Sequence, residues 1–516
     1  MTDGGHYSVR KIRSSAGYFL FGKVASALLT MLAFGITARL LGWAEYGAYA
    51  ALLAATELLM GLCTLGLDWT TGRYLPEYRS RASRAQVSAF LAASFAFQAG
   101  CMVVAAAIAL LLADRLALLL ATPQVAAVML FALVLVLEGS ARIVRDQFLA
   151  LLVAQGAAQL ATLCRSLTLV ALLGAMLVWP PASAGHLLVW VVGAEVVAAG
   201  VSLLVGVVAL ALIVRGHQPD VMTAATPAWV PPRLAAMAAL ARNAFASTLL
   251  VLCAGGPMLT LVIGSLAGPQ AAGAFGFARG LVDQVRRFLP IELFLSLIRA
   301  GVVARYVASR DFAALNFQMA LVFAVSVAAA MPVIAMFAGH GGSVAAAIGG
   351  DGFRSVGPVL ALWSASLLLF PHRRTVELVA YTTERSSACI TGGLALALAP
   401  ALVAALLAAG VALPWALVGA LVADVGFSVV VALRLRSSGL PYRWSGTTLA
   451  RLMIYQCVAV AAIWLLPTAS AAWLDLSAAG LLALLLTWGF AAWHKPFSTA
   501  ERAAINGVLP RPWFPF

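Results

Sequence analysis

Apolar residues run through this chain in long unbroken blocks, without the alternation of half-buried strands. Most blocks reach about 20 residues, the length a helix needs to cross a hydrocarbon layer of about 30 Å. About fourteen spans are predicted. Ala16–Ala38, Gly47–Leu67, Val87–Leu112, Val125–Leu152, Ala157–Val178 and His186–Val214 form a first six. Leu240–Leu266, Gly273–Ile298, Ala314–Ala338, Val356–Tyr381, Ser387–Ala409 and Pro414–Leu435 form a second six, and Ala450–Leu466 with Ala472–Trp493 close the chain. Inside lipid the backbone must satisfy its own hydrogen bonds, which leaves helices or closed barrels. The absence of period-two patterning selects helices, so the expected fold is an all-α polytopic membrane protein.

Composition agrees. Of 516 residues, 63% are hydrophobic and 10% charged, against about 25% charged in soluble domains. The net charge of +14 is explained by loop placement rather than by nucleic acid, for which no aromatic-and-basic module is present. Arg10, Lys11, Arg13, Arg73, Arg79, Arg81, Arg84, Arg215, Arg233, Arg305, Arg310, Arg434, Arg436, Arg443 and Lys495 fall in loops on one side, against Arg39, Arg115 and Arg354 on the other. The positive-inside rule makes the first side cytoplasmic, with both termini there. The basic stretch before the first span is followed by too long an apolar run for a signal peptide. The six cysteines lie in or at the ends of apolar blocks without CxxC spacing, so no disulfide framework or zinc site is expected. The connection from Arg215 to Arg233 carries Pro219, Pro227, Pro231 and Pro232 and reads as a linker. The expected division is a lobe over 1–214, a linker over 215–236, a second lobe over 237–436, and a helix pair with tail over 437–516.

The two sixes repeat one another. Leu40-Leu41-Gly42-Trp43-Ala44-Glu45-Tyr46-Gly47-Ala48-Tyr49 matches Leu266-Ala267-Gly268-Pro269-Gln270-Ala271-Ala272-Gly273-Ala274-Phe275, with Gly42 and Gly268 226 positions apart. The same offset sets Glu57 against Asp283; an offset of 232 sets Arg73-Tyr74 against Arg305-Tyr306 and Arg142 against Arg374. Six is even, so both copies share an orientation: parallel repeats about an axis along the membrane normal, with a cavity expected between lobes, as in alternating-access carriers.

The stretch Ala38-Arg39-Leu40-Leu41-Gly42 with Glu45-Tyr46-Gly47-Ala48-Tyr49, Leu65-Gly66-Leu67, Arg73-Tyr74 and Glu77 resembles the opening of the polysaccharide-transporter family. These are the lipid-linked oligosaccharide flippases of the multidrug/oligosaccharidyl-lipid/polysaccharide exporter (MOP) superfamily. The resemblance implies a multi-pass carrier of the bacterial inner membrane that moves polyprenyl-pyrophosphate-linked glycans to the outer leaflet by rocking two lobes. It implies membrane lipids, a polysaccharide polymerase and a chain-length regulator as partners, and no cofactor.

Ionised side chains at membrane depth cost about 2.5–3.5 kcal/mol each on insertion scales, so each needs a partner or a wet cavity. Arg279, Asp283, Arg286 and Arg287 lie on one face of the eighth span. Their guanidinium groups either meet a pyrophosphate or pair internally and reach toward headgroups. Lys23 is a candidate substrate contact, or a partner for Glu57. Arg142 and Arg374 are further substrate-binding candidates. Glu57, Asp283 and Asp424 are candidates for ion coupling or for counter-ions. Glu138, Arg142, Arg145 and Asp146 are spaced for intrahelical pairs; Arg165 and Glu195 are set to pair with each other. Pro257, Pro290, Pro332 and Pro371 are candidate kinks.

Alternatives are another carrier of the superfamily, for peptidoglycan precursor or small molecules, and a membrane glycosyltransferase or ligase. Catalysis would need a substantial outer loop. The longest expected, Gly339 to Ser355, is mostly Gly and Ala, and neither DxD nor HExxH spacing occurs in any loop. The protein is expected not to be an enzyme and to hold no metal.

Overall fold

The computed structural model describes residues 9–119, 125–181, 186–219, 231–292, 306, 309–465 and 473–508. Among these, thirteen helices are long and apolar enough to cross a membrane, and no strand occurs. They correspond to thirteen of the fourteen expected spans. The remaining one, the eighth, is the charged helix Pro269–Arg286, and its expected continuation to Ile298 lies outside the described residues beyond 292. So do Arg305 and the linker's Pro227. Contacts divide the chain into two units, Met1–Pro269 and Gln270–Phe516.

The first unit opens with α1 (Val9–Cys63), two spans joined through Gly42. There follow α2 (Leu67–Arg81), α3 (Arg84–Leu111), α4 (Ala113–Leu119), α5 (Val125–Arg142), α6 (Gln155–Val178), α7 (Leu187–Arg215), α8 (Leu234–Ala254) and α9 (Gly256–Ala267). A π-helical turn, Ile143–Leu149, extends α5. α3 begins where Ser83 and Gln86 cap one another: the Gln86 N–H donates to Ser83 Oγ, and the Ser83 N–H to Gln86 Oε1 at 2.9 Å. The expected seventh span is broken at Gly255, so Pro257 opens α9 rather than kinking a continuous helix. The first of these pieces, α8, packs on the first unit: Gly66, at φ 74°, has no room for a Cβ, which would lie 2.1 Å from the Ala241 carbonyl oxygen.

The second unit contains α10 (Pro269–Arg286), α11 (Phe312–Gly349), α12 (Gly357–Ser364), α13 (Ser366–Thr382), α14 (Ser387–Leu396), α15 (Ala399–Ala408), α16 (Leu413–Ala416), α17 (Val418–Ser437), α18 (Gly446–Trp464), α19 (Trp473–Leu484), α20 (Phe490–His494) and α21 (Thr499–Val508). Two expectations change here. The outer loop expected over Gly339–Ser355 is largely helical: α11 runs to Gly349 and a 3-10 turn covers Asp351–Val356. Its glycines serve close packing rather than looseness, since a Cβ on Gly341 would lie 3.0 Å from the Gly357 carbonyl oxygen, and one on Gly357 2.7 Å from the Gly342 nitrogen. Pro332 sits inside α11, yet the non-helical residue is His340, at φ −127° and ψ 23°. Proline offers no N–H to the carbonyl four residues earlier. That carbonyl, on Ala328, instead accepts from the indole Nε1–H of Trp488 at 2.8 Å. A neighbouring helix thus repairs the gap, as lipid requires.

Both copies of the sequence repeat turn their first corner in the same way. Gly42 has φ 60° and ψ −176°; Gly268 has φ 87° and ψ 172°. This region of backbone space belongs almost entirely to glycine. The pair matched by the sequence repeat therefore shares an unusual conformation as well as a position.

Two consequences are measurable in detergent-solubilised protein. Gly66→Ala adds strain of about 1–3 kcal/mol together with the clash, and should sharply reduce the monodisperse fraction on size exclusion. Trp488→Phe leaves the Ala328 carbonyl unsatisfied at about 1–3 kcal/mol, so its melting temperature should fall while Trp493→Phe, on an exposed indole, changes little.

Candidate functional site

Each unit holds its own cluster of ionised side chains at span depth. In the first unit the hub is Glu138, 3% exposed on α5. Its Oε1 accepts from Arg142 Nε at 3.1 Å and lies 3.5 Å from Arg145 Nη2, while Oε2 accepts from Arg165 Nε on α6 at 2.9 Å. Arg165 Nη2 continues to Glu195 Oε2 on α7 at 2.7 Å, the pair expected from the sequence. Tyr49 Oη, from the second half of α1, donates to Glu195 Oε1 at 3.2 Å. Arg145 also reaches Ser202 Oγ at 3.1 Å and Asp146 Oδ1 at 2.9 Å. The π turn permits this, because its wider register aims Arg145 inward while Asp146 stays exposed. Four helices are fastened by one carboxylate and its surroundings.

Lys23 and Glu57 occupy the two halves of α1, both half-buried. Span one packs on α6 beside Lys23, where a Cβ on Gly22 would meet Gln159 Cβ at 2.5 Å.

In the second unit the cluster gathers about a ring. Three guanidinium carbons face Phe370 of α13: Arg286 at 4.3 Å from the centroid, Arg374 at 5.4 Å and Arg373 at 5.7 Å. Carboxylates separate them. Asp283 lies 3.1 Å from Arg286 Nη1 and 3.9 Å from Arg279 Nε. Asp424 of α17, which has no partner nearby in sequence, lies 3.1 Å from Arg373 Nη1. Arg374 bridges Glu377 at 3.0 Å and Glu292 at 3.6 Å. The structure therefore brings Arg279, Asp283, Arg286, Arg374 and Asp424 into one neighbourhood. Arg142 stands in the other cluster.

The repeat mates behave alike. Arg142 and Arg374 each bond an intrahelical carboxylate, and their side chains are 43% and 40% exposed. The other paired arginines of the two clusters are 10–25% exposed. Each copy thus holds, at the matched position, an arginine whose side chain is partly exposed and lies against carboxylates.

The model of the polysaccharide biosynthesis protein family matches residues 12–290, more than half of the chain. This chain belongs to that family. Its fold is shared with solved transporters: the inward closed structure of the lipid II flippase MurJ superposes with a TM-score of 0.66 at 10% identity, over 92% of this chain and 99% of that one. An inward-facing multidrug resistance MATE family transporter gives 0.56 at 15% identity, over 82% and 98%. MATE in complex with MaL6 gives 0.52 at 15% identity, over 83% and 96%. No curated protein matches by sequence.

The aromatic and hydroxyl members of the clusters, Phe370, Tyr49 and Ser202, carry no charge, so the pattern of intramembrane charges in the sequence does not point to them. The signal for Phe370 was its place in Phe370-Pro371-His372-Arg373-Arg374. Past the end of α17, burial pushes the Tyr442 phenol up to about 12. It shares a hydrogen bond with Thr375 Oγ1 at 3.2 Å and stays neutral through any physiological range. Among the described residues no three His, Cys, Asp or Glu side chains gather to hold a metal ion.

Removing one member of a buried ion pair costs about 3–5 kcal/mol by stranding its partner. Arg165→Ala takes a cation from both Glu138 and Glu195, leaving the Tyr49 hydroxyl on Glu195, and should sharply lower accumulation of folded protein. Arg142→Ala, at the exposed rim, should leave abundance within about twofold of wild type, as read by fluorescence-detected size exclusion.

Proposed function

We propose that the protein is a flippase that carries polyprenyl-pyrophosphate-linked oligosaccharides from the cytoplasmic to the outer leaflet of the bacterial inner membrane by alternating access, for cell-surface polysaccharide synthesis. The observation that supports this most is the pair Arg142 and Arg374: matched across the repeat, partly exposed, and backed by carboxylates in a chain of the polysaccharide biosynthesis protein family. A guanidinium offers two parallel donors to a phosphate oxygen pair, and keeps its charge at any relevant pH. Arg286 and Arg279 extend the cluster beside Arg374, and Lys23 adds an ammonium on span one. Asp283 and Asp424 fit the counter-ion role, since each lies 3.1 Å from an arginine; Glu57 is assigned with them as Asp283's repeat mate. The division into a six-helix lobe over 1–214, a linker, a second lobe over 237–436 and a terminal pair belongs to the same reading. So do cytoplasmic termini, and a polymerase and chain-length regulator that take up the product.

A second reading rests on the fold shared with MurJ over 92% of the chain: the glycan on the lipid would then be a peptidoglycan precursor. Both cargoes offer a polyprenyl pyrophosphate, so the clusters suit either, and the family match favours surface polysaccharide.

Depleting the protein in its host separates the two. Extracted lipids should show the polysaccharide repeat unit accumulating on its pyrophosphate carrier, inaccessible to an externally added glycosidase. Accumulation of peptidoglycan precursor instead would establish the second reading, and accumulation of neither would remove both. Arg142→Ala and Arg374→Ala should each lower surface polysaccharide about tenfold or more at normal membrane abundance; full export by both variants would strike them from the site.

A further inference from the structure

The surface of the first unit carries an apolar groove apart from the ion clusters. It encloses about 260 Å³ between α3, the π turn and α7, with Ser88, Phe95, Val144, Phe148, Leu210 and Val214 among its walls. The π turn shapes its floor. Val144 and Phe148 both belong to that turn and are fully buried, and Val144 approaches α7 at Gly206, where a Cβ would lie 3.2 Å from its Cγ1.

One end of the groove is basic. Arg84 lies one turn before Ser88 on α3, hence on the same face, and Arg215 directly follows Val214 at the end of α7. Both are exposed, as is Arg81 on the preceding helix end. The two helix ends are held together by His217 Nε2 and the Ala82 carbonyl oxygen at 3.1 Å. On the neighbouring elements, Glu77 of α2 bonds Arg73 at 3.3 Å, and Asp146 of the π turn bonds Arg145. An apolar channel ending at exposed guanidinium groups matches an amphiphile with an acyl chain and a negative head. Basic residues at a membrane surface select such lipids.

We propose that this groove is a binding site for an anionic phospholipid, with one acyl chain lying between Ala92 and Phe95 of α3 and Val207 and Ala211 of α7, above the buried floor, and the phosphate against Arg84 and Arg215. The site stands whatever the protein transports. Because Val144 adjoins Arg145, an occupied groove also steadies the turn that holds Arg145 on Glu138 and Ser202.

The test uses the full-length protein in nanodiscs containing trace phospholipid with a photoactivatable group in its acyl chain, as phosphatidylglycerol or as phosphatidylcholine. Peptides covering 84–98 and 207–215 should be labelled by phosphatidylglycerol at least about tenfold more than by phosphatidylcholine, from two surface arginines. Arg84→Gln with Arg215→Gln should erase that preference while the size-exclusion profile is unchanged. Ala211→Trp, which fills the groove from an exposed lining position, should suppress labelling by both lipids at the same peptides. Equal labelling by the two headgroups in the wild type would overturn the proposal. So would a preference that survives the double arginine variant, or crosslinks from these peptides to a second copy of the chain.

Discussion

Glu138 lies at span depth with three guanidinium groups about it because hydrocarbon offers an ion nothing else. The cost of an unpaired charge there exceeds what any single helix contact returns, so the helices carrying these groups are placed by the need to pair them. α5, α6, α7 and the second half of α1 meet where Glu138, Arg165, Glu195 and Tyr49 meet. The same demand governs the backbone. Pro332 frees a carbonyl within α11, and the last span is fastened where Trp488 supplies the missing donor. Buried ion pairs of this kind add little net stability compared with apolar packing of equal volume. Their effect is to specify which helices adjoin, and to hold positive charge at a depth where it would otherwise not reside.

That requirement is met twice, by different means. In the first unit a single carboxylate gathers three arginines. In the second, the ring of Phe370 gathers three, with Asp283, Asp424, Glu377 and Glu292 between them. The duplication is therefore clearest in the backbone corner, Gly42 and Gly268, and in the partly exposed arginine, Arg142 and Arg374. It is loosest in the buried wiring. A corner in glycine-only conformation tolerates no alternative, whereas charge compensation has many solutions once the sum is right.

Span number, helical class and the corner glycines were legible from the chain because each rests on a local rule: apolar length, the absence of alternation, and backbone freedom. Pairs within one helix, such as Glu138 with Arg142, followed from spacing alone. The hub role of Glu138 did not, since Arg165 reaches it from 27 residues away, and Arg373 with Asp424 joins helices 51 positions apart (373 to 424). Pro332 is a candidate kink by sequence, but the non-helical residue of α11 is His340, and Trp488 donates to the Ala328 carbonyl that Pro332 leaves free. The Gly- and Ala-rich stretch after Gly339 resembled a loop in composition, but those glycines serve close approach of backbones at Gly341, Gly342 and Gly357. Composition reports that side chains are small, and only packing reveals whether the space was needed.

On the proposed function, the arginine clusters of the duplicated helical frame serve to move a pyrophosphate-linked lipid between leaflets. The direct measurement is transbilayer movement in vesicles containing the purified protein and a fluorescent polyprenyl-pyrophosphate oligosaccharide, scored by the fraction of label that an impermeant quencher reaches over time. Label should move between leaflets with wild-type protein, and that movement should be lost in Arg142→Ala with Arg374→Ala at equal protein content. Movement no faster than in protein-free vesicles, or undiminished in the double variant, would contradict that function.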